Sequence, residues 1–413
     1  MKIKAIISIF FIILLNSIFA QTEKDSTERF KNTVLGGTTR VMALGSSKFI
    51  NDPSDMFVNP AYTGNYSNLI WGDLGSSSYY NNSLSSQNIN ATVKINNKLT
   101  LGAALVNGYL TQESSISNLY EAVNMNGKYS NSNDFNFRNN LVLIGSYELE
   151  GVKLGLGTSY FANKKDRNYK DSEDLDYKLG IYQLGFNTGA LIDIFDDNKL
   201  DVSAAVIMCE MKGEYYKVLR KTKRIVVMVK SKGFYNYNKN IQIIPFVEYY
   251  NLFDDLLNDN RLDNYKQEKT LQSGSSFSFG LGIKYQKNGL LIAGGINPLF
   301  NSYTENGITL GENYENSNFG INYNLALEFY FVEWFIGRIG YKAITTNNRV
   351  EYFDYISETT NNGYDDGFTL GVGFRFGGFY LDATVDESII KKGLGNIGGS
   401  ADTFQYVTLG YNF

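Results

Sequence analysis

In the stretch from Gln272 to Tyr285, apolar residues occupy every second position from Phe277 onward, and the positions between them are small or polar. Successive side chains of a β-strand point to opposite faces, so this stretch predicts a strand with one apolar face and one polar face. Glycines on one face and aromatics on the other are typical of a barrel wall that is apolar outside and polar inside. The apolar positions are Phe277, Phe279, Leu281, Ile283 and Tyr285, and the others are Gln272, Gly274, Ser276, Ser278, Gly280, Gly282 and Lys284.

The same alternation recurs from residue 68 to the end of the chain, and short turns alternate with long polar loops, as in outer-membrane barrels. The pattern predicts an all-β fold, a transmembrane outer-membrane β-barrel of about 14 antiparallel strands over residues 66–413, with 16 strands as the alternative. The two strand counts differ in their treatment of the hairpin Glu214–Tyr250, which alternates poorly and contains Pro245. This hairpin either protrudes from the membrane or adds two strands to the barrel. The predicted long loops are Gln112–Asp134, Asn163–Lys178, Thr304–Ser317, Thr346–Asp366 and Ser388–Thr403.

Residues 1–20 have the composition of a secretory signal peptide. Lys2 and Lys4 precede a largely apolar run, Ala5–Leu15, and Ser17–Ala20 precede the predicted cleavage site. A single membrane-spanning helix is the alternative, but the run is short and no basic cluster follows it. A signal peptide followed by a barrel predicts the bacterial outer membrane as the location of the protein.

Charge and residue usage exclude several classes of function. The chain has 38 basic and 42 acidic residues, a net charge of -4; without Lys2 and Lys4 the balance is 36 minus 42, or -6, which argues against nucleic acid as a partner. Histidine is absent, which removes Ser-His catalysis and histidine metal sites. Cys209 is the only cysteine, so no intrachain disulfide can form. We therefore expect no enzyme activity, no cofactor and no bound metal.

Residues 21–65 precede the first strand and contain a glycine-rich, partly apolar piece, Leu35–Gly45. In the piece that follows, Asp52 can cap a helical turn that Pro53 begins, and Asn59 with Pro60 would end it. We predict that this part of the chain folds into the lumen as a plug. An ordinary ordered arm on the periplasmic side is the alternative.

This N-terminal part resembles that of the outer-membrane family that includes PorV, PorQ and the FadL-type transporters. The end of the chain, Gly371–Phe413, is similar to the closing three strands of the PorV-like group. Tyr62-Thr63-Gly64 departs from the usual continuation and is similar to PorP-like barrels of the same secretion system. The resemblance implies passage of hydrophobic molecules in FadL-type members, and docking of secreted cargo or of a secretion channel in PorV-like members. The plug and family-motif residues are Gly36, Gly37, Arg40, Gly45, Asp52, Pro53, Ser54, Phe57, Asn59, Pro60 and Ala61.

Strand parity places nine charged residues on the inner face. Charges kept away from lipid must pair or stay hydrated, so a salt-bridged interior that stiffens the wall is one interpretation and a selective solute path is the other. The mixed signs favour the salt-bridged interior. The predicted lumen-facing charges are Lys153, Asp193, Asp201, Lys284, Glu328, Arg338, Lys342, Arg375 and Asp382.

Two functions remain open on the sequence alone. The first is passage of small or hydrophobic molecules across the outer membrane, with Leu35–Ala61 as the gate. The second is a non-conducting scaffold or cargo-docking component of a type IX-like secretion machinery. The expected partners are outer-membrane lipid and lipopolysaccharide, secretion-system or surface proteins, and the barrel-assembly machinery, which would recognise a C-terminal signal formed by Val407, Leu409, Tyr411 and Phe413.

Overall fold

The computed structural model describes residues 36–77, 84–107, 140–167, 177–195, 198–215, 218–260, 268–307, 313–352, 355–362, 367–385 and 404–413. The predicted signal peptide and the predicted loops Gln112–Asp134 and Ser388–Thr403 lie outside these residues. The described residues contain helix α1 (Thr38–Ala43), two 3₁₀ turns (Pro53–Phe57 and Pro60–Asn65) and seventeen strands. The strands are β1 (Leu69–Ser77), β2 (Leu84–Lys94), β3 (Leu99–Asn107), β4 (Asn140–Leu149), β5 (Val152–Arg167), β6 (Tyr177–Asp193), β7 (Lys199–Tyr215), β8 (Val218–Asn238), β9 (Ile241–Asn260), β10 (Glu268–Lys287), β11 (Leu290–Gly307), β12 (Asn313–Val332), β13 (Phe335–Tyr352), β14 (Tyr355–Asn362), β15 (Gly367–Phe376), β16 (Phe379–Val385) and β17 (Phe404–Asn412).

The strands form one closed antiparallel sheet. Neighbours in the chain pair with each other, and β17 closes the ring on β1, with Leu69 opposite Asn412. One half of β13 pairs with β15 and the other half with β14, so that β14 extends the sheet without adding a position to the ring. The wall built from the described residues therefore has sixteen strands.

The expectation of about fourteen strands is wrong, and the alternative of sixteen is confirmed. The Glu214–Tyr250 region belongs to the wall, because β8 pairs with β7 over its length and with β9 on its other side. Its alternation is weak because the inner face carries an apolar cluster at this place: Val226 packs inside with Ile207 and Leu252. Pro245 lies opposite Gly233, where the β8–β9 ladder is interrupted. A proline cannot donate a ladder hydrogen bond, so this interruption accommodates it.

The two faces of the wall differ as the sequence predicts. On β10, Phe277, Phe279, Leu281 and Ile283 are between 41% and 55% exposed, whereas Ser278 is buried. A closed barrel pairs its backbone groups between strands, and an apolar exterior matches the hydrocarbon core of a membrane. The protein is therefore an outer-membrane β-barrel. Within the described part of the chain, no helix is both long and apolar enough to cross a membrane.

Strands β5 to β13 are longer than a membrane crossing requires. They contain 16 to 21 residues each. A tilted strand crosses the membrane with about 9–11 residues. The strands β5 to β14 therefore continue beyond the membrane as a tall wall.

The tall wall corrects two loop predictions. Thr304–Ser317 and Thr346–Asp366 are largely strand: Asn306 pairs with Asn313 across β11 and β12, and Thr359 pairs with Asn348 across β13 and β14. Beyond the membrane both faces of a strand meet water, so alternation is not required there and the polar sequence resembles a loop. The opposite, turn end of the barrel carries the short turns, such as Asn288-Gly289, where both residues have positive φ (50° and 76°) as a tight hairpin turn requires.

Residues 36–65 form the N-terminal segment. Its first 3₁₀ turn follows Asp52, whose side chain accepts a hydrogen bond from the Ser54 N–H (3.2 Å), while the Asp55 side chain accepts one from the Asp52 N–H (2.9 Å). The predicted cap at Asp52 is confirmed. The second turn begins at Pro60 after Asn59, whose side chain accepts from the Ala61 N–H at 2.9 Å.

The N-terminal segment contacts the wall on opposite sides of the ring. Its second 3₁₀ turn lies against β3 to β6, and α1 lies against β13 and β15 to β17. In a ring of sixteen, β5 and β13 are eight positions apart and therefore face each other. The wall residues that it contacts lie on the polar inner face near the turn end, which makes this contact region the candidate functional site.

Candidate functional site

An ion-pair network joins the N-terminal segment to the inner wall. Arg40 donates to both carboxylate oxygens of Glu328 on β12, from Nε at 2.8 Å and from Nη2 at 3.0 Å. Arg338 on β13 donates from Nε to the same carboxylate at 2.7 Å and from Nη1 to Asp382 on β16 at 2.6 Å. Asp382 also accepts from Arg375 on β15 at 3.0 and 3.2 Å. A chain of alternating positive and negative groups thus connects the segment to four strands, β12, β13, β15 and β16.

Arg40 and Asp52, which lie close together in the segment, have different electrostatic environments. Burial acts to lower the pKa of Arg40, but the Glu328 carboxylate outweighs it, so the pKa of Arg40 is raised and the group stays charged. Burial raises the pKa of Asp52 to about 7, although Arg40 acts in the opposite direction. Arg40 lies 3.5 Å from Asp52 Oδ2, which has no hydrogen-bond partner among the described residues. This loose contact does not compensate for burial, so Asp52 changes charge near neutral pH.

A second anchor lies on the other side of the ring, at Asp201 on β7. Its carboxylate accepts hydrogen bonds from Asn59 Nδ2 at 2.5 Å and from the Tyr62 hydroxyl at 3.0 Å. Asn187 Nδ2 on β6 donates to the Phe57 carbonyl at 3.0 Å. Both 3₁₀ turns are therefore fixed to the wall by buried polar contacts.

Further anchors lie at the start of α1 and beyond its end. The Thr38 hydroxyl donates to Asp73 on β1 at 3.1 Å, and the Thr384 hydroxyl on β16 donates to the Thr39 carbonyl at 2.9 Å. Beyond the helix, Lys48 Nζ lies 2.6 Å from Glu248 on β9. The segment is thus held from several directions, and no single strand carries it.

Glycines of the inner wall provide the space that the segment occupies. The Phe49 ring lies against Gly282 and Gly295, where a Cβ at either position would overlap the ring. Phe49 also packs against Phe246, with ring centroids 5.8 Å apart. The glycine-rich inner face that the sequence of β10 predicts therefore has a steric role at Gly282. The same close approach occurs at Gly155 for Ala61, at Gly189 for Asn59, at Gly340 for Gly45 and at Gly371 for Ala43.

The structure brings together two sets of residues that the sequence presents separately. The family-motif residues all lie in the N-terminal segment, where Arg40, Asp52 and Asn59 make the polar contacts described above. Of the predicted lumen-facing charges, six contact the segment or join its network. They are Lys153, which donates to Asn65 at 2.9 Å, together with Asp201, Glu328, Arg338, Arg375 and Asp382.

The other predicted residues lie elsewhere. Asp193 is exposed at the turn end and lies 3.4 Å from Lys199. Lys284 lies on the inner face beside Gln242, and Lys342 lies opposite Asn324. Leu409 and Tyr411 on β17, and Phe413 directly after it, are exposed on the outer face, and Val407 shares their parity; their role as an assembly signal stays a prediction.

Sequence reasoning missed Lys48, Asp73 and Glu248 as anchors. No local pattern could have identified them, because their partners are distant in the chain: Lys48 and Glu248 are separated by 200 residues. In the described part of the chain no group of three or more Asp, Glu or Cys residues is arranged to hold a metal ion.

Comparison with known proteins adds little beyond the fold. No protein-family model matches the sequence, and no curated protein does. Similar solved structures include the TodX deltaS2S3 mutant monoaromatic hydrocarbon channel (9% identity, TM-score 0.42, 92% of this chain and 100% of that chain) and the CymD monoaromatic hydrocarbon channel (9%, 0.41, 92% and 98%). The ferric citrate transporter FecA in the unliganded form is another (10%, 0.39, 76% and 64%), and the chain spans less than two thirds of its length. At these TM-scores the likenesses do not assign a solute.

Proposed function

We propose that this protein lets small or hydrophobic molecules cross the bacterial outer membrane and that the N-terminal segment is its luminal plug. The observation that carries the proposal is the attachment of one short segment to well-separated parts of the ring, through Arg40 to Glu328 on β12 and through Asn59 to Asp201 on β7, five strands away. A segment held in this way lies in the path of any solute. The family resemblance of the motif residues agrees with this role.

The contacts also suit a plug that can be released. Much of the attachment consists of charged and hydrogen-bonded pairs, and each of these groups can exchange its partner for water once the lumen hydrates. The wall charges near Arg40 keep other ion-pair partners when Arg40 leaves: Glu328 stays paired with Arg338, and Arg338 stays paired with Asp382. Release therefore leaves the wall with paired charges, so the barrel keeps its shape while the segment moves.

Single-channel conductance in planar bilayers tests the proposal. The protein without its signal peptide is compared with a variant that lacks residues 35–61, and heat-modifiable migration on gels verifies that both barrels are folded. We expect the intact protein to be closed for most of the time and the shortened one to conduct continuously. A folded, shortened barrel that stays closed would show that the segment is not the barrier.

The second candidate is a scaffold or cargo-docking component of a secretion machinery, which the tall wall favours. Strands β5 to β14 continue beyond the membrane and offer a surface that passage alone does not need. Chemical cross-linking in native envelopes, followed by copurification, tests this function. Specific envelope partners that are lost when β14 is deleted would support it, and a barrel recovered without partners would argue against it.

A further inference from the structure

The inner face of β11, β12 and β13 carries a group of asparagines farther from the turn end than the N-terminal segment. On β12 the inward positions are Asn316, Asn318, Gly320, Asn322 and Asn324, while Phe319, Tyr323 and Leu325 point outward. Asn324 Nδ2 donates to the Gly45 carbonyl at 2.7 Å, so the deepest asparagine touches the segment. The others therefore lie between the segment and the far mouth of the barrel.

Neighbouring strands extend this group into a surface. Asn318 lies directly opposite Asn301 on β11 and Asn348 on β13, and Asn322 lies opposite Asn297. Opposed residues have Cβ atoms about 5 Å apart, and inward residues of one strand are separated by about 7 Å. The surface is thus a grid of side-chain amides with regular spacing.

The grid has hydrogen-bonding capacity that the wall does not use. The Oδ1 atoms of Asn316, Asn318 and Asn322 are buried and have no hydrogen-bond partner among the described residues. If the side-chain amide is rotated by 180°, Nδ2 takes the place of Oδ1, and an unpaired donor replaces the unpaired acceptor. Either orientation therefore leaves one polar atom without a partner. Buried polar groups without partners cost free energy. All three residues are nevertheless partly exposed, so a turn of the side-chain amide can present the unpaired group to a molecule in the lumen.

The chemistry of the grid selects the class of that molecule. Each amide has an acceptor and two donors, and a hydroxyl group both donates and accepts. From Asn316 to Asn322, and at the inward positions opposite them on β11 and β13, no residue is charged; Lys342 lies opposite Asn324 at the deep edge of the grid. A charged solute over Asn316 to Asn322 would lose hydration without a counter-charge beside it, and a hydrocarbon would leave the amides unpaired.

Gly320 separates Asn318 from Asn322, so no side chain lies between the two amides along β12. We call this gap in the row of side chains the notch. Its walls are close, because a Cβ at Gly320 would meet the Thr345 carbonyl oxygen at 3.3 Å and Thr346 Cγ2 at 3.4 Å, both on the neighbouring strand.

We propose that this asparagine grid binds a neutral polyhydroxylated solute, an oligosaccharide in chemical class, on its way to the N-terminal segment. The inference deepens the proposed function, and it rests on that function only for the passage of the solute, because binding to the grid is a separate event.

Isothermal titration calorimetry with maltohexaose tests the binding, in a polyoxyethylene detergent because sugar detergents would compete. We expect saturable binding in the millimolar range, weakened at least about tenfold by Asn318→Leu with Asn322→Leu. The control is Asn88→Ala with Asn90→Ala, which changes inner-wall asparagines of β2 that bond to each other and to the Trp71 carbonyl. This pair should leave binding within about twofold. Gly320→Leu, which fills the notch and keeps every amide, should weaken binding if the leucine pair does not fold.

Absence of binding by the wild-type protein, or equal losses in the Asn318 and Asn88 pairs, would overturn the asparagine grid as an oligosaccharide site. Binding of an apolar dye at the grid in place of maltohexaose would do the same. The conductance comparison is independent: binding without conduction would contradict the proposed passage and leave the grid intact, whereas conduction without binding would contradict the grid alone.

Discussion

Replacement of Arg40 by methionine should loosen the N-terminal segment without opening the barrel wall. Methionine keeps an unbranched apolar stem and removes the guanidinium. The loss of one partner of a buried ion pair costs about 3–5 kcal/mol. Glu328 retains Arg338 at 2.7 Å, so we expect the lower end of that range, about 3 kcal/mol. Such a change raises the population of the released segment by about a hundredfold.

A cysteine at position 63 reports the released state. Thr63 is fully buried and its hydroxyl has no hydrogen-bond partner among the described residues, so Thr63→Cys in a Cys209→Ser background removes little. The rate of maleimide labelling follows the population of the open segment when closing is fast. We expect Arg40→Met to raise that rate by about a hundredfold.

Two further variants serve as controls for the effect of Arg40→Met on labelling. Arg349→Met removes an arginine that is 52% exposed beside Glu351, and exposed pairs contribute about 1 kcal/mol or less, so labelling should change by less than about fivefold. Glu328→Gln combined with Arg40→Met should cost less than the sum of the single changes, because the double variant leaves neither charge unpaired. If Arg40→Met labels no faster than Arg349→Met, the network does not hold the segment and the reasoning is refuted.

Three other predictions concern the same account. Gly282→Ala should displace the Phe49 ring and increase labelling at position 63. Gly274→Ala on the same face should not, because its Cβ would meet its nearest neighbours at 3.6 Å. Phe49→Ala should restore the Gly282→Ala variant, because it removes the ring with which the added methyl group overlaps. Because burial raises the pKa of Asp52 from 3.8 to about 7, protonation favours the seated segment; that stabilisation is complete below pH 3.8 and is lost as the pH rises through 7. Maleimide reacts with the thiolate, so each labelling rate is divided by that of a free cysteine at the same pH. This ratio should rise from pH 5 to 7, by at most about tenfold per unit, and Asp52→Asn should flatten its profile. Deletion of Phe413 should lower outer-membrane insertion, measured as the heat-modifiable fraction in envelopes; an unchanged fraction would remove its role as an assembly signal.

Alternation and composition are sufficient for the barrel class, because lipid and lumen impose opposite demands on successive residues of a strand. The outward aromatics and inward glycines of β10 follow directly from this rule. It fails where the inner face is itself apolar, as at Val226, and where strands continue beyond the membrane, as in Thr346–Asp366. At Val226 both faces of the strand are apolar, and in Thr346–Asp366 both faces meet water. In each case the contrast between the two faces, on which the rule depends, is lost.

The sequence predicted several members of the candidate site but not which of them pair. Parity placed Glu328 and Arg338 inside, and the motif identified Arg40, but nothing in the sequence indicates that Arg40 and Glu328, 288 positions apart, form a pair. The steric role of Gly282 was equally hidden, since small inner residues suit any lumen and the ring that fills the space comes from Phe49. Partner choice between distant positions depends on ring geometry, which a linear pattern does not contain.

A reversible cross-link between the N-terminal segment and the wall tests the central claim most directly. A Cβ at Gly64 would lie 3.9 Å from the Cβ of Ser146 on β4, within the range of disulfides, so Gly64→Cys with Ser146→Cys in a Cys209→Ser background can lock the segment. Uptake of a hydrophobic dye into proteoliposomes is then measured in one preparation before and after reduction. The account predicts little uptake in the oxidised protein and recovery on reduction, with no change for Cys209→Ser alone. Equal uptake by the oxidised and reduced forms would contradict the claim that this segment closes the barrel.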